Sequence, residues 1–194
     1  SLAGNTVTGN AIGKTMLNAT YEGIIGTLNT QIQKFNKNVE VEVLPKNGKV
    51  TPKVEAGDGF TVELKADGTV WSHGQNQYGQ LGVGDTNSYN EPQKVKIIKN
   101  TIKNEDGSKT EIEDTIKDIS VGNYHVLALS ETGKVYAWGY GEKGQLGTGS
   151  GYSNEEPVVV KDIYRKQLQD IVKVEAGENV SFAITSKGKV YAWG

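Results

Sequence analysis

Cysteine is absent from the chain, which excludes disulfide staples, thiolate metal sites and cysteine nucleophiles while leaving the redox compartment open. Arginine is nearly absent as well: of 21 basic residues, Arg165 alone is arginine. Against 23 acidic residues the formal net charge is -2, and this balance disfavours binding to a phosphate backbone, which needs clustered basic side chains. Histidine is limited to His73 and His125, and a metal or acid–base centre would need the two close together with carboxylates. No apolar run approaches the length of about 18 residues that reads as a membrane-crossing helix.

What the chain has is glycine, 25 residues of it, and the glycines recur in a pattern. Gly133-Lys134-Val135-Tyr136-Ala137-Trp138-Gly139 leads directly into Tyr140-Gly141-Glu142-Lys143-Gly144-Gln145-Leu146-Gly147-Thr148-Gly149, and its first half returns as Gly188-Lys189-Val190-Tyr191-Ala192-Trp193-Gly194. A drifted copy opens at Gly68-Thr69-Val70-Trp71-Ser72-His73-Gly74, and its loop matches at Gly79-Gln80-Leu81-Gly82 and Gly84. Upstream, Gly57, Gly122 and Gly177 each precede the hairpin glycine by eleven residues. The period is 65 residues from Gly57 to Gly122 and 55 from Gly122 to Gly177, the surplus of ten falling at Asn104-Glu105-Asp106-Gly107-Ser108-Lys109. Periods of this size point to a propeller or solenoid of units that cannot bury a face alone.

Within a unit the pattern is that of a β-sheet. Apolar residues recur at every second place in Leu127 and Leu129, then Val135 and Ala137, which predicts strands with one buried face. Glu131-Thr132-Gly133 separates them as a hairpin turn. Pro92 and Pro157 precede the runs Val95-Lys96-Ile97 and Val158-Val159-Val160, so each marks a strand start or a sheet edge. The expectation is an all-β chain with about four antiparallel strands per unit, one propeller blade.

Gly122-x-x-His125-x-Leu127-Ala128-Leu129, followed by the Gly133 to Gly139 string, by Gly144-Gln145-Leu146-Gly147 and by Pro157, resembles the repeat of the regulator of chromosome condensation, RCC1. The resemblance covers roughly residues 40 to 194 and implies a β-propeller of seven blades. Here it gives a partial propeller of about two and a half to three blades within 37–194, with units at about 52–115, 116–170 and a truncated 171–194. Gly57, Gly122, Gly177, Gln80, Gln145, Trp138 and Trp193 are the expected structural repeat positions. The sequence departs from the pattern where His73 replaces the strand-end Trp and where Phe60 and Val180 stand in the place of His125. Two and a half units are too few for seven blades, so the expectation is a piece of a longer chain or copies that pair as a homo-oligomer through open blade edges.

The first 36 residues do not carry the repeat. Val7-Thr8-Gly9, Gly13-Lys14-Thr15, an alternating Leu17, Ala19 and Tyr21, a turn at Glu22-Gly23 and a second alternation at Leu28, Thr30 and Ile32 read as a short strand and a hairpin. This stretch resembles the C-terminal half of a bacterial immunoglobulin-like domain of group 2 (Big2). That resemblance implies a secreted or cell-surface bacterial protein, in which such domains act as spacers or adhesive modules.

Two segments imitate nucleotide-binding motifs. Gly139-x-Gly141-x-x-Gly144 fits the dinucleotide fingerprint, but the residues after it cannot supply the helix whose N-terminus would hold a pyrophosphate. Gly13-Lys14-Thr15 ends like a phosphate loop, with Thr8 where a glycine is required. No cofactor and no metal site is expected. His125 reads as a structural hydrogen-bonding position and His73 as a drifted core position.

The loops remain. Asp85 to Glu91 and Ser150 to Glu156 are equivalent, polar, and each carries a tyrosine, a composition suited to adaptable binding surfaces as well as to plain soluble connections. Tyr78, Tyr89, Asn90, Tyr140, Tyr152 and Asn154 are therefore the candidate partner-binding residues. The function expected is a non-enzymatic interaction module that presents these loops to a protein or glycan partner, without nucleic acid and without membrane insertion. An inhibitor of a secreted enzyme would look the same, and the family resemblance also implies nucleotide exchange on a small GTPase with chromatin binding.

Overall fold

The computed structural model describes residues 13–24, 32–43, 50–104 and 107–194. The chain divides into two compact units, Ser1–Lys49 and Val50–Gly194.

In the first unit β1 (Gly13–Ile24) pairs antiparallel with β2 (Ile32–Val43), from Gly13 opposite Val43 to Ile24 opposite Ile32. The turn expected at Glu22-Gly23 does not form. Both residues continue β1, opposite Lys34 and Gln33, because the returning strand is long enough to satisfy their backbone groups. β2 also crosses the expected boundary after residue 36. Val7 to Gly9, Leu28 and Thr30 lie outside the described residues.

The second unit contains the repeats. Its first sheet is β3 (Lys53–Ala56), β4 (Phe60–Leu64), β5 (Val70–Gly74) and β6 (Tyr89–Val95), neighbours in that order and antiparallel throughout. The inserted residues follow as a separate hairpin, β7 (Ile98–Lys103) with β8 (Lys109–Glu113). A second four-stranded sheet holds β9 (Ile116–Val121), β10 (His125–Ser130), β11 (Val135–Gly139) and β12 (Asn154–Val159), again in sequential order. Among the described residues a third sheet has β13 (Ile171–Ala176), β14 (Ser181–Thr185) and β15 (Val190–Trp193).

The two central strands of the second sheet meet at a turn in which Gly133 takes a φ of 81° and donates its N–H to the Ser130 carbonyl at 3.0 Å. A left-handed residue is needed there, and glycine adopts it without a Cβ clash. Pro92 and Pro157 lie inside β6 and β12 rather than ahead of them, and both of these are outermost strands of their sheets. An outer strand has one side with no ladder partner, so a missing N–H is tolerated there.

Burial corrects one expectation. β4 and β5 of the first sheet alternate buried and partly exposed residues, as a strand with one covered face should. In β10 and β11 every residue is buried, because this sheet is covered on both faces. Val126, Ala128, Tyr136 and Trp138 join a core with Phe60, Val62 and Leu64 of the first sheet and Leu81 of the loop between β5 and β6. Leu127, Leu129, Val135 and Ala137 join a second core with Ile171, Val174 and Ala183 of the third. A near-continuous apolar run is the pattern of a strand buried on both sides, and Val126 to Leu129 is such a run.

Candidate functional site

Consecutive sheets are locked together by the same contacts at each seam. The indole Nε1 of Trp138 donates to the Gln80 carbonyl of the preceding blade at 3.0 Å, and Trp193 does the same to the Gln145 carbonyl at 2.8 Å. The glutamines hold those loops in shape from within: Gln80 Oε1 accepts the Tyr78 N–H at 2.9 Å, and Gln145 Oε1 accepts the Lys143 N–H at 3.0 Å. Each strand-end Trp thus wedges against a loop that its own glutamine has already ordered.

The glycines before the second strand of each blade are needed for close approach. A Cβ on Gly122 would stand 2.4 Å from the Gly177 carbonyl oxygen and 2.4 Å from the His125 ring, and one on Gly57 would stand 2.8 Å from the Asn123 carbonyl oxygen. At Gly177 the added atom would meet Val180, at 2.9 Å. These turns touch in succession, Asp58 N–H donating to Asn123 O at 2.9 Å and Asn123 N–H to Glu178 O at 3.2 Å.

The two histidines lie in different sheets. His125 is fully buried, with Nε2 2.9 Å from Ser181 Oγ. That hydroxyl donates its single proton to the Gln145 carbonyl at 2.8 Å, so Nε2–H must be the donor to Ser181 and Nδ1 is the bare nitrogen. Burial lowers the His125 pKa to about 4, since a charged imidazolium would lose its hydration there. His73 is half-buried in β5, its Nδ1 3.7 Å from Glu63 Oε1, beyond hydrogen-bond range. The segment after Gly139 runs through turns to β12 with no helix, so the glycine-rich string there is turn geometry.

The candidate loop residues separate into three groups. Tyr89 is tied down: its hydroxyl donates to Asp85 Oδ2 at 2.7 Å, and its ring packs on the first core. Asp85 also accepts the Asn87 N–H at 2.8 Å and sits against the Asn76 amide, while Asn76 Oδ1 accepts the Leu81 N–H at 2.9 Å. These bonds hold the Asp85 carboxyl below its ordinary pKa and raise that of Tyr89, each chiefly through their mutual hydrogen bond. Asn90 is exposed in β6.

Tyr152 is displayed, 77% exposed, while its carbonyl accepts Asn154 Nδ2 at 3.3 Å and lies so close to Gly141 that a Cβ there would be 2.1 Å away. Asn154 lines an open groove of about 550 Å³ with Thr148, Ser150, Lys161 and Gln167.

Tyr78 and Tyr140 converge, and with a third ring that the sequence reading passed over. Tyr78 follows β5, Tyr124 sits in the turn between β9 and β10, and Tyr140 follows β11; the centroid of Tyr78 is 5.1 Å from Tyr124 and 5.0 Å from Tyr140. All three rings are half-exposed. The Tyr124 hydroxyl donates to Asp58 Oδ2, and that of Tyr140 to Glu142 Oε2 at 3.0 Å. Tyr124 stands next to His125, and its register gives no sign of the cluster, because the rings are brought together only when two blades stack.

Stacked antiparallel sheets joined by a repeated Trp-to-carbonyl wedge define a propeller-type repeat protein. Residues 67–129 and 132–184 match the Regulator of chromosome condensation (RCC1) repeat, and residues 116–145 match a second form of it. The chain belongs to the RCC1 repeat family.

It is similar to the ultraviolet-B receptor UVR8 of Arabidopsis thaliana, 30% identical over 161 residues that cover 83% of this chain and 33% of the receptor. It is also similar to the mitochondrial RCC1 domain-containing protein RUG3 of the same plant, 34% identical over 141 residues, 73% of this chain and 28% of the relative. Among solved structures, yeast RCC1 (Prp20) bound to Kap60 superposes with a TM-score of 0.55 at 22% identity, over 73% of this chain and 31% of that one, a likeness of fold. The chain spans a third or less of the length of these proteins.

Proposed function

We propose that the chain is a non-enzymatic protein-interaction module, in which stacked blades hold a set of loops rigid and present their aromatic and amide side chains to a protein partner. The observation that carries this reading is the internal bracing of the loops. Gln80, Gln145 and Asn76 fix the backbone around Tyr78 and Tyr140 from within, and Asn154 holds the Tyr152 carbonyl, so these tyrosines are displayed without needing to be ordered on binding. Pre-ordering a surface lowers the entropy cost of association.

A secreted or cell-surface setting in a bacterium goes with this proposal and takes its support from the immunoglobulin-like pattern of the first 36 residues. Fractionation of the source cells checks it, and recovery from the cytosol would refute it. A glycan is the alternative partner, for which the polar groove beside Asn154 is the natural seat. Inhibition of a secreted enzyme would use the same displayed loops. Nucleotide exchange on a GTPase is a competing role, and an exchange assay with purified GTPases decides it.

The test is capture of partners from a surface extract of the source organism by the immobilised chain. Tyr78→Ala combined with Tyr152→Ala is expected to lose the captured protein, whereas Lys187→Ala, in the turn at the opposite end of the third sheet, is expected to retain it. The reverse pattern would overturn the reading.

A further inference from the structure

The three converging tyrosines are not accounted for by folding. Neither core contains them, and the backbone at Tyr78 is fixed by Gln80 rather than by its own ring. They come from three segments of two blades and expose their rings side by side, with interplanar angles of 63° and 55°. In such tilted pairs the edge of one ring meets the face of the next, and each of the three rings stays part-exposed.

Two of the phenols also donate to carboxylates, Tyr124 to Asp58 and Tyr140 to Glu142. Donation to an anion pushes electron density into the ring and makes its face more attractive to a cation. Among the described residues neither Asp58 nor Glu142 forms a salt bridge, so their negative charge is uncompensated at the rim of the cluster. Both phenols titrate above the ordinary tyrosine range, first because of these hydrogen bonds, and stay neutral donors at physiological pH.

We propose that Tyr78, Tyr124 and Tyr140, with Asp58 and Glu142, form a docking site for a cationic side chain, arginine above all, on a segment of a protein partner. A guanidinium stacks flat on a tyrosine face and can fork a neighbouring carboxylate at the same time, which a lysine ammonium cannot. This deepens the interaction-module reading by naming the chemistry of the partner.

The test is titration of the 194-residue chain with an acetylated and amidated peptide of alternating arginine and serine, followed by calorimetry and by tyrosine ring resonances. Matched peptides carry lysine or glutamate in place of arginine. The arginine peptide is expected to bind, more weakly as salt rises, with lysine behind it and glutamate showing no binding. Tyr78→Leu is expected to weaken binding about two- to fivefold, the range for a solvent-exposed cation–π contact. The double variant Asp58→Asn, Glu142→Gln, which keeps all three rings, is expected to weaken it and flatten the salt dependence without shifting the melting temperature. Equal binding of arginine and glutamate peptides, or unchanged affinity in the double variant, would overturn the proposal. That failure would leave the interaction-module reading standing, because capture of a protein partner does not require that partner to be cationic.

Discussion

Replacing Trp138 by alanine probes the joint on which the blade stack depends. The ring is fully buried between the first and second sheets, its Nε1 donates to the Gln80 carbonyl at 3.0 Å, and a Cβ on Gly82 would lie 2.6 Å from that nitrogen. A buried tryptophan removes roughly 150–250 Å² from water, about 4–6 kcal/mol at about 25 cal/mol per Å², of which alanine retains a part. The expected loss is therefore about 3–5 kcal/mol, in line with large-to-small core changes generally. In a domain of this size that lowers Tm by roughly 6–20 °C.

Trp193 makes the same bond at 2.8 Å but is only partly buried, and Trp193→Ala is expected to cost about half as much. Trp138→Phe keeps most of the apolar contact and loses the hydrogen bond, for about 1–2 kcal/mol. Thermal melts followed by near-ultraviolet circular dichroism, with chemical denaturation alongside, measure all three. Equal losses at Trp138 and Trp193, or no change at Trp138, would refute the two-sided burial of the middle blade.

Other consequences are as direct. His125 has a folded pKa of about 4 against an ordinary 6.5. The unfolded chain therefore binds the extra proton between these values, and stability falls as pH drops from about 6.5 towards 4, by up to about 3 kcal/mol, and is flat above. His125→Phe, copying Phe60 in the first blade, is expected to abolish this slope in urea melts across pH. Gly122→Ala forces a Cβ against the Gly177 carbonyl oxygen and the His125 ring and is expected to cost at least 1–3 kcal/mol, roughly the range for overpacking. Replacing residues 98–113 by a short glycine-containing turn is expected to leave Tm almost unchanged, since β7 and β8 are almost wholly exposed; a drop comparable to that of Trp138→Ala would show that the hairpin is integral to the stack.

Much of this fold is written locally. Hairpin turns need glycine at positive φ, strands need alternation, and both repeat visibly around Gly68, Gly133 and Gly188. What Trp138 reaches is not local. Its bond to the Gln80 carbonyl joins residues 58 apart, and only stacking creates it. Leu127, Leu129, Val135 and Ala137 alternate as a one-faced strand would, yet the intervening Val126, Ala128, Tyr136 and Trp138 are just as apolar, which is the signature of a strand covered twice. The inserted hairpin was legible only as surplus length, because Ile98–Lys103 and Lys109–Glu113 carry polar residues on both faces and show no buried side. Glu22-Gly23 reads as a turn in isolation, and the pairing with Gln33 and Lys34 overrides it.

For the candidate site, the sequence marked Tyr78, Tyr140 and Tyr152 by the polar loops around them. It could not distinguish Tyr89, whose hydroxyl is taken up by Asp85, nor find Tyr124, whose side-chain neighbours Asp58 and Tyr78 lie in the preceding blade.

Hydroxyl-radical footprinting of the chain alone and bound to the protein it captures tests most directly whether the loop end of the blade stack is the binding surface. Protection of Tyr78, Tyr124, Tyr140 and Tyr152 is expected, with unchanged reactivity at the turns around Asp67, Thr132 and Lys187. Protection centred on those turns, or on the exposed Phe182 and Val190 of the third sheet, would contradict it.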